Sequence, residues 1–188
     1  SLPRVQELCV DDGRRGFCNG RLLRAGPLRQ PLERLERVDW LIRNGPGDLP
    51  AVVEELRHPV LEMNFVPTGF LRLGDGCWHD LEDPPEAFSG GVTAVAGMGN
   101  PDRFFDTLRS IGVVVNAERP FPDHHPFEPG DFDGMSAPVL MTEKDAVKCT
   151  ALAPEAWALR VEAQLPAAWE ADWLASVRDM IKDFESKE

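Results

Sequence analysis

The clearest alternation of apolar and polar positions lies in the second half of the chain. Val92-Thr93-Ala94-Val95-Ala96 is a run of small and β-branched residues, entered through Ser89-Gly90-Gly91, and it predicts a buried strand. From Asp102 to Ile111, the residues Phe104, Phe105, Leu108 and Ile111 recur at helical spacing, and Gly112 stops that helix. Val113-Val114-Val115 predicts another strand and Pro138 to Met141 a third, with a helix from about Asp145. Strand, helix, strand, loop, strand, helix implies a mostly parallel sheet with right-handed crossovers.

The first half is less regular. Leu8 to Val10 is strand-like, whereas Arg14 to Gly26 is rich in Gly and Arg without a period and reads as a loop. Pro31 to Arg37 suits a short helix. Val38 to Ile42 is an apolar strand closed by Asn44-Gly45-Pro46-Gly47. Between Val60 and Leu81 the apolar residues are scattered among Pro67, Gly69, Gly74 and Gly76, which fits a β-ribbon better than a helix. In the last segment Trp169, Trp173, Val177, Ile181 and Phe184 recur every three or four residues opposite an acidic face, so an amphipathic helix is expected there. Core packing of its apolar stripe is favoured over a membrane surface, because acids repel anionic lipid.

The expected fold is therefore α/β, a mostly parallel sheet flanked by helices, divided into residues 1–58, a β-ribbon linker at 59–90 and a Rossmann-like lobe at 91–188. A chain of 188 residues can bury such a core. No run of about 18 uncharged apolar residues occurs, and the first ten residues lack the layout of a signal peptide.

The net charge of −12 argues against a general nucleic-acid binder, which needs a basic face. Arginines nevertheless crowd the first quarter, at Arg14, Arg15, Arg21, Arg24, Arg29, Arg34, Arg37 and Arg43, so one end can meet an anion. Cys9, Cys18, Cys77 and Cys149 are spread singly, which suggests neither a zinc site nor a disulfide framework but free, buried thiols in a reducing compartment.

Four stretches carry chemistry. The first runs from Asp12-Gly13-Arg14-Arg15-Gly16-Phe17-Cys18-Asn19-Gly20 to Ala25-Gly26-Pro27-Leu28-Arg29; the others are Ala96-Gly97-Met98-Gly99-Asn100-Pro101, Phe121-Pro122-Asp123-His124-His125, and Met141-Thr142-Glu143-Lys144-Asp145-Ala146-Val147-Lys148. The last sits where a strand gives way to a helix, the sheet edge at which α/β proteins bind ligands. Thr142 can cap that helix, and Glu143 and Asp145 suit its positive end, so capping alone accounts for Thr142 and Asp145. Lys144 fits either a ligand contact or a surface salt bridge. Gly97 and Gly99 permit a tight turn whose amides could face an anion. No GxxxxGK[ST] occurs in the sequence, so there is no P-loop to cradle the phosphates of a nucleotide.

In this order and spacing the four stretches resemble the tetraacyldisaccharide 4'-kinase family of lipid A biosynthesis. The resemblance implies the C-terminal portion of an ATP-dependent, magnesium-requiring kinase acting on the 4'-hydroxyl of a tetraacyldisaccharide 1-phosphate. It also implies a peripheral place at the cytoplasmic face of the bacterial inner membrane, with a remnant of the nucleotide-binding lobe ahead of the β-ribbon. His124 matches the family histidine that pairs with a catalytic aspartate and assists deprotonation of the sugar hydroxyl, with Asp123 as its neighbour. Asn19, Arg29 and Gln30 match substrate-side positions; Gln30 stands where glutamate is usual, Cys18 where glycine is, and Arg24 where proline is. Gly97, Gly99, Asn100, Thr142, Glu143, Lys144 and Asp145 are carried over as family-motif residues. Asp11-Asp12-Gly13 imitates the family's metal-binding Asp-Asp-Gly, but the residues after it match a later stretch, so no metal ligand is assigned. A non-catalytic binding module, or an inactive half of the kinase, is the competing expectation.

Overall fold

The computed structural model describes residues 6–13, 16–45, 47, 53 and 60–185. Arg14, Arg15 and Pro46 of the sequence motifs lie outside the described residues. The chain forms two compact units, Ser1–Phe65 with Ala163–Glu188, and Val66–Glu162. This differs from the division read from the sequence: the C-terminal amphipathic helix belongs with the first unit, and the boundary falls inside the long strand of the β-ribbon.

In the first unit, β1 (Leu8–Asp12), β2 (Trp40–Asn44) and the start of β3 (Val60–Arg72) run parallel, with Val10 opposite Ile42 and Ile42 opposite Leu61. The period of two sorts β2 between two cores. Leu41 packs with Phe17, Leu35 and Val53, whereas Ile42 packs with Met63 and Trp169. Leu35 comes from a 3-10 helix, Leu32–Arg37. Trp169 opens the long C-terminal helix (Ala167–Glu185), where its ring meets Trp40 edge-on at 5.3 Å and stacks on Trp173 at 5.7 Å. The expected core packing of this helix holds only over its first turns. Ile181 and Phe184 are 53% and 62% exposed.

The second unit holds the rest of β3, then β4 (Trp78–Asp80), β5 (Val92–Gly97), β6 (Val115–Phe121), β7 (Val139–Thr142) and all but the last two residues of β8 (Trp157–Gln164). β3 and β4 pair antiparallel, with Phe70 opposite His79, as a ribbon requires. β7 lies between β5 and β8, β6 flanks β5 on its other side, and all these pairs are parallel. Helix α1 (Pro101–Ser110) connects β5 to β6, and α2 (Glu143–Cys149) follows β7; the C-terminal helix is α3.

Every residue of β5 is buried, because helices cover both of its faces. Val92, Ala94 and Ala96 meet Phe104, Phe105 and Leu108 of α1, while Val95 meets Ala146 and Cys149 of α2. Leu140 and Met141 divide between the same two cores.

Three local expectations change. β6 begins at Val115, not Val113, because Gly112 at φ 83° and the 61% exposed Val114 belong to the turn that ends α1. β8 and two 3-10 helices, Glu86–Gly90 and Pro129–Phe132, had no sequence counterpart. Of the four thiols, all free, only Cys149 is buried; Cys9 is half-buried, and Cys18 and Cys77 are exposed. Burial pushes the Cys149 thiol up to about 11, the behaviour of an inert core residue.

Candidate active site at the carboxyl edge of the second unit

In the second unit the carboxyl ends of β5, β6 and β7 bring three of the four sequence motifs together. α2 is the element that ties them. Thr142 caps α2 by accepting the Asp145 amide at 3.2 Å, and its hydroxyl donates to the Asp145 carboxylate at 2.7 Å. The capping reading of Thr142 is therefore correct, but Asp145 does more than face a helix end. Its side chain is fully buried, and Oδ2 accepts the Gly97 amide at 2.8 Å, pinning the turn after β5 to α2. Lys148 approaches the other oxygen at 3.7 Å.

Gly97 has a steric reason for being glycine that the sequence did not disclose. A Cβ there would stand 3.0 Å from Asp145 Oδ1 and 3.3 Å from the Phe127 ring. Its amide is already taken by that carboxylate, so it is not a free donor for an external anion. Gly99 has open space around it, and Asn100 precedes α1 without a side-chain cap.

The two adjacent histidines after β6 have opposite surroundings. His125 stacks on Phe121 at 4.6 Å, meets Phe127 edge-on at 4.9 Å, and bonds Asp131 through Nε2 at 2.9 Å. The amide of Glu128 also donates to Asp131, and this bond together with His125 holds that carboxyl below the usual range. His125 is thus consumed in a self-packed loop. His124 is 80% exposed, at φ 62°, a left-handed conformation uncommon for a non-glycine residue. Its Nε2 lies 3.7 Å from Asp123 Oδ2, and its amide donates to Asp123 Oδ1 at 3.1 Å. Lys144, at the start of α2, donates to the same Oδ1 at 2.5 Å; that bond is the main reason the Asp123 carboxyl sits below its ordinary value. Glu143 turns away to Arg160 on β8 at 3.0 Å.

The remaining expected residues belong to the first unit. Asn19 spends its amide on its own loop, donating to the Ala25 carbonyl at 2.9 Å and accepting the Arg21 amide at 3.1 Å. A Cβ on Gly26 would come within 2.2 Å of that Asn19 oxygen, so the two residues fit only together. Arg29 and Gln30 are exposed and line a groove with Phe17, Leu32 and Leu35. Arg29 has no ion pair or hydrogen bond among the described residues. Cys18 and Arg24 have φ 52° and 85°. The first is the conformation glycine accepts most readily, and the second is closed to proline.

The sequence reading missed two contributors, Asp131 and Phe127. Neither belongs to a motif, and only the fold of the loop carries them to His125 and Gly97.

The family model described as "LpxK: Tetraacyldisaccharide-1-P 4'-kinase" matches residues 1–178. The chain belongs to this family. A tetraacyldisaccharide 4'-kinase of Alkalilimnicola ehrlichii is 46% identical over 169 residues, which cover 87% of this chain and 46% of that protein. Those of Legionella pneumophila (strain Lens) and Alcanivorax borkumensis are 40% and 43% identical, covering 92% and 88% of this chain. The chain spans about half the length of the curated relatives it matches. Among solved structures, LpxK from Aquifex aeolicus in complex with ATP shares the fold, with a TM-score of 0.61 at 22% identity over 91% of this chain and 51% of that one. Membership in the tetraacyldisaccharide-1-P 4'-kinase family agrees with the resemblance read from the four motifs.

Proposed function

We propose that this chain is the acceptor-side part of an ATP-dependent kinase that phosphorylates the 4'-hydroxyl of a tetraacyldisaccharide 1-phosphate in lipid A biosynthesis. The observation that carries the reading is the contrast between the histidines. His124 is presented to solvent beside Asp123 at the carboxyl edge of a parallel sheet, while His125 is locked into the loop that supports it. An exposed imidazole next to a carboxylate can orient and tune a base that takes the proton from an attacking hydroxyl. Arg29, with its planar fork unpaired among the described residues, suits the phosphate or hydroxyls of the disaccharide. Asn19 shapes the loop ahead of it, and Gln30 lies beside it.

ATP is the phosphoryl donor and magnesium its counter-ion in this reading, but this chain's residues do not fit either. No cluster of three or more His, Cys, Asp or Glu among the described residues could hold a metal, and the sequence has no GxxxxGK[ST]. An acylated substrate suits a reaction at a membrane surface, and the cytoplasmic face of the inner membrane, with this chain peripheral, is part of the proposal; no helix among the described residues is long and apolar enough to cross a bilayer.

The test is a chimera in which this chain replaces the matching segment of the Alkalilimnicola ehrlichii kinase. Phosphorylation of the disaccharide is expected. His124→Ala should lower kcat by about 10²- to 10⁴-fold with ATP KM nearly unchanged, and His125→Ala should change kcat little. Equal kcat for the His124→Ala chimera and its parent would remove His124 from the chemistry.

A second reading, of the 188 residues taken by themselves, is a binding module that takes the disaccharide without turning over ATP. Calorimetric titration of the 188-residue chain with the disaccharide tests the binding both readings require, and phosphorylation by the chimera separates the two.

A further inference from the structure

We propose that Lys144 is the positioning residue of this site, and that its ammonium, bound to Asp123, holds the turn from Pro122 to His125 in the conformation that presents His124. This rests on the reading of His124 given above and adds a residue whose role the family match does not assign.

The bonds form a directed chain. Lys144 donates to Asp123 Oδ1; the same oxygen accepts the His124 amide, and Oδ2 faces the His124 ring. The other charged groups of α2 are engaged elsewhere: Glu143 with Arg160, and Asp145 with Gly97 and Thr142. Lys148 reaches the His125 carbonyl at 3.4 Å and lies 3.7 Å from Asp145. On the loop side His125 is bound to Asp131. Lys144 is therefore the one side chain of α2 that meets the Asp123–His124 pair.

A stabilising role leaves this arrangement unexplained. Both Lys144 and Asp123 are 47% exposed, and solvent-exposed ion pairs contribute little to folding. The left-handed His124 backbone, however, persists only where its surroundings over-determine it. Two constraints are visible: the turn bond from the His125 amide to the Pro122 carbonyl at 3.1 Å, and the Asp123 carboxylate under the His124 amide. Lys144 fixes the second. The depressed Asp123 carboxyl, caused first by the Lys144 bond, agrees with a carboxylate held in place.

The experiment starts with the 188-residue chain. In Lys144→Met the Asp123 carboxyl ¹³C titration should move upward toward the ordinary carboxylate range, and the His124 amide resonance should shift. The melting temperature should stay within about 2 °C of the parent, as expected for an exposed pair. Lys144→Arg should keep the parent's behaviour.

In the chimeric kinase Lys144→Met should lower kcat by about 10- to 100-fold, the scale of a small misplacement near reacting groups, with ATP KM unchanged. Asp123→Asn should give a similar loss, and the double variant no further one. An unmoved Asp123 titration with an unmoved His124 amide would overturn the proposal. So would full kcat in Lys144→Met when His124→Ala is impaired. If His124→Ala is itself fully active, the functional reading falls, and the titration still decides whether Lys144 positions the turn.

Discussion

Adjacent histidines with nearly identical sequence context have separate tasks here, and the difference is measurable by stability. His125 contributes a ring stacked on Phe121 and edge-on to Phe127, and a bond to Asp131, so His125→Ala should cost roughly 1–2 kcal/mol in urea denaturation. Among the described residues the polar partner of His124 is Asp123, and His124→Ala should change the midpoint little. The same loop has an acid limit. Asp131 is held below its ordinary value first by the Glu128 amide and then by His125. A depressed carboxyl stabilises the fold above its unfolded pKa, and that contribution fades as pH falls through the folded value. Amide protection factors in the loop around Glu128, taken relative to the intrinsic exchange rate at each pH, should therefore fall as pH drops below about 4, and Asp131→Asn should abolish that dependence.

Among the elements, α2 is short, yet it joins the turns after β5 and β6 because Asp145 reaches across to the Gly97 amide. Asp145→Ala would leave that amide and the Thr142 hydroxyl unsatisfied in a buried place and should cost about 3 kcal/mol in chemical denaturation. A loss below about 1 kcal/mol would mean that water replaces the carboxylate. The sequence marked Asp145 only as a first-turn acid, which is all that spacing along one helix can reveal. Its partner lies 48 positions away in sequence. β8 escaped notice for a related reason: Trp157-Ala158-Leu159 shows little alternation, since both of its faces are buried by neighbours that the linear pattern does not name.

At the scale of the whole molecule, the first unit carries an apolar surface beside a sheet edge. β1 is one edge strand of the sheet among the described residues, with Val10 59% exposed. Beside Leu8, a groove is lined by Trp173, Val177, Ile181 and Phe184 of α3. An open edge next to exposed large hydrophobics favours association. Sedimentation of the purified chain should show concentration-dependent self-association, reduced by Val10→Lys or Ile181→Lys. A concentration-independent monomer would show that this surface is not adhesive.

Hydrophobic periodicity by itself determined the α/β class, the β-ribbon and the strand–helix order of the second unit, because each depends on contacts within a few residues or one face of an element. The motifs, by order and spacing, determined the family. Tertiary structure alone decided how each histidine is surrounded, why a side chain at Gly97 would crowd Asp145 and Phe127, and where Lys144 points. Those facts depend on Phe121, Phe127, Asp131 and Asp145 meeting across loops, and chain distance carries no information about such meetings. It also decided that α3 belongs with the first unit, since an apolar stripe states that a helix will pack but not against which partner.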